Sequence, residues 1–174
     1  TKPGLYDVIF TKKDSQTYTT AIVISGLENE EIWEYEDDWE VDGAVMITGF
    51  KYDYWPTGTI FVPGELGGKK VVRLCDYLFD DYDDVKTIVV ADSIKYIEER
   101  ALYSHAERII LPSSIDCGNL RLEGLYQEVS WTDTSWINTF FNMNHLKKIE
   151  FAGGRSVSDN GSVYIKNNML LGVV

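Results

Sequence analysis

This 174-residue chain is poor in cysteine, histidine and positive charge. Two cysteines, Cys75 and Cys117, are too few for a disulfide scaffold and lack metal-ligand spacing. Sixteen basic residues face 28 acidic ones, for a net charge of −12. Such a surface repels polyanions and anionic bilayers, which argues against nucleic-acid binding. No apolar run approaches the roughly 20 residues of a membrane span, so no membrane insertion is expected. No basic-then-apolar leader precedes TKPGLYDV, so any secretion signal is expected to have been removed or not included. Also missing are G-x-S-x-G, G-x-G-x-x-G, a Walker loop and H-E-x-x-H. With no nucleophile–base pair to assemble, a non-catalytic protein without cofactors is expected.

A hydrophobic content of 44% and a charged content of 25% are those of a soluble globular protein. The length suits one domain, or one domain with an appendage. The acids are unevenly spread: residues 1–57 carry 12 acids and 4 bases, and nine of those acids lie between Glu28 and Asp42 without a base. The run reads as a solvated face or, alternatively, as a cation site. Asp80-Asp81-Tyr82-Asp83-Asp84 reads as a solvated turn, with Ca²⁺ binding the alternative, although no EF-hand spacing is present. Gly64, Gly67 and Gly68 mark a turn before Val71.

The most informative feature is internal repetition. Val71, Leu74, Leu78 and Phe79, each advanced by 23, become Ile94, Ile97, Ala101 and Leu102. Val85, Ile88, Val90 and Ala91, each advanced by 21, become Ala106, Ile109, Leu111 and Pro112. Ala106, Ile109 and Leu111, each advanced by 40, become Leu146, Ile149 and Phe151, and an earlier strand copy stands at Ile60-Phe61-Val62-Pro63. A short strand, a turn and an I-x-x-I-x-x-x-A-L segment therefore make a unit of roughly 21–23 residues, the length of a leucine-rich repeat. Such units bury their apolar faces by stacking, with strands on one side and short helical or irregular segments on the other.

The ordered copies resemble the BspA-like class of bacterial leucine-rich repeats, with their V-x-x-I-x-x-x-A-F…L-x-x-I-x-I-P pattern, over roughly residues 44–174. AVMITGF from Ala44, TIFVPGELGGKKV from Thr59 and SDNGSVYIKNNMLL from Ser158 add to the likeness. The expected fold is a β-rich α/β protein: a short leucine-rich-repeat solenoid with an N-terminal antiparallel β cap. The cap occupies 1–57 and the repeats 58–174, with an insertion at 116–145 and a β-hairpin at 156–171. The resemblance implies a secreted or cell-surface adhesion module of a larger chain, recognising a protein, host or matrix ligand.

Within each strand copy the middle residue points away from the core, because strand side chains alternate. Phe61, Val89, Ile110 and Glu150 should form an outward ladder, flanked by Arg108 and Lys148. An exposed apolar stripe marks an interface; alternatively the Trp- and Phe-rich insertion lies over it. These six are the candidate ligand-binding residues. A carbohydrate-binding module is the alternative function, using Trp131 and Trp136, or Trp33, Trp39 and Trp55, as platforms. His105 and His145 occupy one repeat position before consecutive strands, which suggests surface residues of a turn or a weak metal or pH site. Two repeats, or about 10 Å, separate Cys75 from Cys117, too far for a disulfide.

Overall fold

β-Branched and aromatic residues in short runs, broken by Gly, Asp and Pro, favour extended backbone. The computed structural model describes residues 2–11, 17–24, 29–98, 100–112, 145–151, 162–166 and 169–173. Its strands are β1 (Gly4–Thr11), β2 (Thr17–Ile24), β3 (Trp33–Asp37), β4 (Ala44–Phe50), β5 (Gly58–Phe61), β6 (Glu65–Leu66) and β7 (Lys69–Leu74). β8 (Val85–Val89), β9 (Tyr96–Ile97), β10 (Arg108–Leu111), β11 (Lys148–Phe151), β12 (Ser162–Lys166) and β13 (Met169–Val173) follow.

Three sheets result. One runs β13-β12-β11-β10-β8-β5, a second runs β3-β4-β7-β6 with β9 also on β7, and β1 and β2 form a separate hairpin. From β4 to β10 the chain passes back and forth between the two large sheets. Val45, Ile47, Val71, Leu74 and Ile97 of one sheet share a single core with Ile60, Val85, Ile88, Ile109 and Leu111 of the other. Strands of the 1–57 segment take part: β4 pairs in parallel with β7. At one end Phe50 packs on Trp33, Phe79 and Tyr82, with ring centroids 4.4, 5.4 and 5.0 Å away.

The repeat offsets are realised as strand registers. Ile88 lies opposite Ile109, and Val89 opposite Ile110, which is the offset of 21. Ile109 pairs with Ile149, the offset of 40, and Leu74 with Ile97, the offset of 23.

The expected β-rich α/β leucine-rich-repeat solenoid is nevertheless overturned. Among the described residues there is no α-helix, and the sole helical element is the three-residue 3₁₀ turn Glu30–Ile32. The segments expected to be helical or irregular, opposite the strands, are themselves strands or strand-and-turn. In IKYIEERAL the Lys95 and Glu98 amides donate to the Val72 and Leu74 carbonyls at 2.8 and 3.0 Å, which lays Tyr96 and Ile97 beside β7. Arg100 then turns the chain with φ 55°, and Tyr77, its counterpart in the preceding repeat, has the same φ. A left-handed non-glycine residue ends any helix. The i, i+3 spacing of Ile94 and Ile97 thus belongs to a strand and its approach, not to a helical stripe.

The outward ladder is also not open. Val89 and Ile110 are buried, packed with Leu5 and Val23 of the β1–β2 hairpin and with half-buried Phe61. Arg108 makes a two-pronged ion pair with Asp7, with Nη1 donating to Oδ2 at 3.2 Å. The expected insertion, 116–144 above all, lies outside the described residues. So do residues 156–161 and 167–168 of the expected hairpin; its described part is β12 and the start of β13, and β12 is antiparallel to both β11 and β13.

Because Ile110 is fully buried under the hairpin, Ile110→Asp would strand a carboxylate between the layers. The expected result is a loss of about 3–5 kcal/mol in urea unfolding, whereas a residue on an open face would tolerate the change.

Candidate functional site

Of the six residues expected from sequence, Phe61, Val89, Ile110 and Arg108 are engaged by the N-terminal hairpin. That engagement corrects the expectation of a free binding stripe. Lys148 and Glu150 stand in register with Arg108 and Ile110 on the adjacent strand.

The densest set of charged and aromatic groups lies on the other large sheet, around a residue that no sequence motif marks. Arg73 belongs to β7 and pairs with Met46 of β4 and Tyr96 of β9. A bulge between Val45 and Met46 in the β4–β7 pairing shifts the register there, so Val71 and Leu74 both enter the core while Arg73 does not. The β3–β4 connection folds over it. In that connection Asp38 Oδ1 accepts from the Glu40 and Val41 amides at 3.0 and 2.8 Å, forming an Asx-type turn. The Asp38 amide donates to the Ala44 carbonyl at 3.0 Å, which ties the turn to β4.

Arg73 is wholly buried and has three carboxylate partners. Nε donates to Asp38 Oδ2 at 2.7 Å, Nη2 to Glu40 Oε2 at 2.7 Å, and Nη1 to Glu98. Its Cζ lies 4.3 Å from the Trp39 ring centroid and 4.1 Å from that of Tyr96. Guanidinium suits this position because it is planar, stays charged and presents a fork of donors. Burial alone would push the Asp38 carboxyl up. Hydrogen bonds from Arg73 and from the two backbone amides outweigh that, and hold it below the usual carboxylate range. Burial likewise works against the Arg73 charge, and its bonds to Asp38, Glu98 and Glu40 hold the proton more tightly than usual.

The node supports an exposed aromatic. Trp39 is 59% exposed although its ring rests on the Arg73 guanidinium. Along β3, the edge strand of this sheet among the described residues, Glu34, Tyr35, Glu36 and Asp37 are exposed. Lys69 reaches across to pair with Asp37. The Gly67-Gly68 turn that delivers Lys69 has positive φ at both residues, which two-residue hairpins of this hand require. The acid run is therefore divided: Glu34, Glu36 and Asp37 are solvated, whereas Asp38 and Glu40 hold a cation that the chain itself supplies.

The remaining candidates separate plainly. Trp33 is core, and Trp55 is 60% exposed beside Tyr82; Trp131, Trp136 and Cys117 lie outside the described residues. Cys75 is a free, half-buried thiol donating to the Thr48 carbonyl at 3.1 Å. Burial, with the charges of Asp76, Glu98 and Glu36, pushes it up to about 11. Asp83 of the acidic turn faces His105. Among the described residues no three His, Cys, Asp or Glu side chains converge to hold a metal.

Two outcomes follow from this geometry. The lowered Asp38 value means that its stabilisation is complete above the unfolded value near 4 and is lost as pH falls through the folded value. Arg73→Met, which leaves the Asp38 carboxylate buried without its partner, should cost about 3–5 kcal/mol at pH 7. Without Arg73, burial raises the Asp38 carboxyl, so that penalty should shrink as pH falls from 7 towards and below about 4, which denaturant melts across that range would check. Cys75 should react with iodoacetamide at pH 8 far more slowly than a free thiol of pKa about 8.5, and denaturation should abolish the difference.

The chain matches no protein-family model, and no curated protein or solved structure is detectably similar to it.

Proposed function

We propose that the chain is a non-catalytic protein-binding module whose docking face is the acidic, aromatic surface around Trp39 and the edge of β3, unpaired on that side among the described residues. The observation that carries this reading is an indole held in place from beneath by a buried, three-carboxylate arginine node. A pre-positioned Trp supplies contact area with little entropy left to lose, as interface anchors do. Carboxylates beside an aromatic face favour a cationic partner through charge and cation–π attraction. The solvated acids of β3 guard that edge against self-pairing. They also suit it to an extended partner segment with Lys or Arg at alternate positions, added as a further strand.

A host or matrix protein as partner, in a secreted or cell-surface setting, accords with this role and rests on sequence resemblance alone. Carbohydrate binding through Trp39 or Trp55 is the second reading, since both indoles are more than half exposed. The exposed acids of β3, Glu34 and Glu36 among them, favour a cation over a neutral sugar.

Titration with ten-residue peptides alternating Lys and Thr, followed by tryptophan fluorescence, tests the proposal. Binding is expected, weakened by salt and reduced about 30-fold or more by Trp39→Ala, the loss of an anchor worth about 2 kcal/mol. Saturable binding of oligosaccharides with no response to the peptides would sink it in favour of the carbohydrate reading.

A further inference from the structure

The turns that lead into β8, β10 and β11 bring three polar side chains together at one end of the parallel sheet. His105 and His145 are equivalent positions, related by the same offset of 40 that pairs β10 with β11. Stacking therefore sets the imidazoles side by side: the ring centroids are 4.5 Å apart, with the planes at 61°. Asp83, in the turn before β8, reaches His105 Nδ1 with Oδ1 at 2.8 Å.

We propose that His105 and His145 form a two-imidazole site for a borderline divalent transition cation such as Zn²⁺, with Asp83 as the positioning residue behind His105. Asp83 Oδ1 lies 2.8 Å from His105 Nδ1, so the carboxylate favours the proton on that nitrogen and leaves the lone pair on Nε2. Rings at this separation can present nitrogens about 3 Å apart, the span of two metal–nitrogen bonds of about 2.0–2.1 Å. Imidazole pairs select Zn²⁺, Ni²⁺ or Cu²⁺ over Ca²⁺ or Mg²⁺. Both histidines are exposed, which leaves the remaining coordination positions to water. Glu107 is paired with Lys147 at 2.6 Å, and Lys86 Nζ donates to the Asp83 carbonyl at 2.9 Å. Asp83 acts through His105, and among the described residues no further carboxylate converges with the two imidazoles.

Calorimetric titration of the whole chain with Zn²⁺ tests the assignment. One site is expected, lost in both His105→Ala and His145→Ala, and weakened about 10–100-fold in Asp83→Asn. His105→Gln, expected to melt at the wild-type temperature without metal, separates loss of the site from loss of the fold. The proposal is overturned if the wild-type chain takes up no Zn²⁺, or if either alanine variant binds it as tightly. Equal affinity for Ca²⁺ would also overturn it, by assigning the binding to carboxylates.

Discussion

A fully buried arginine is the constraint around which one side of the molecule is arranged. Placing the Arg73 charge out of water carries a desolvation cost of several kcal/mol, which only well-aligned partners offset. Those partners come from two stretches of chain: Asp38 and Glu40 in the β3–β4 connection, and Glu98 just after β9. The node thus fixes the connection over the sheet and couples β9 to the N-terminal strands. It also leaves the Trp39 ring on a charged seat, facing solvent.

The other large sheet is closed by a different device. Its outward Val89 and Ile110 meet Leu5 and Val23 of the β1–β2 hairpin, and the Asp7–Arg108 pair stands beside them. Among the described residues, apolar contact and this ion pair thus attach the hairpin, without strand pairing to either large sheet. Among the described residues the apolar ladder is thus covered, whereas Trp39 beside the charged node is exposed.

Part of this was legible in the sequence. The offsets of 21, 23 and 40 reappear as strand registers because parallel strands with equivalent inward residues must align those residues to share a core. The choice between helix and strand for IKYIEERAL was not legible, since Ile94 and Ile97 satisfy either period and the decision rests on hydrogen bonds to β7. The cover over Val89 escapes a sequence reading because a hairpin so far upstream in the chain carries no local mark of where it docks. Arg73 did leave a signal: a lone cation inside the apolar run at 71–74, with an unpaired acid run upstream. Joining the two required the β4–β7 pairing, and no spacing rule supplies that.

The Arg73 node holds Trp39 in a fixed, solvent-facing position. The steady-state heteronuclear NOE of the Trp39 indole N–H, assigned with Trp39→Phe, tests this most directly. A rigid indole is predicted, with an NOE equal to that of the backbone amides of β4 and β7. An NOE well below those amides, showing free motion on the picosecond-to-nanosecond scale, would contradict the account.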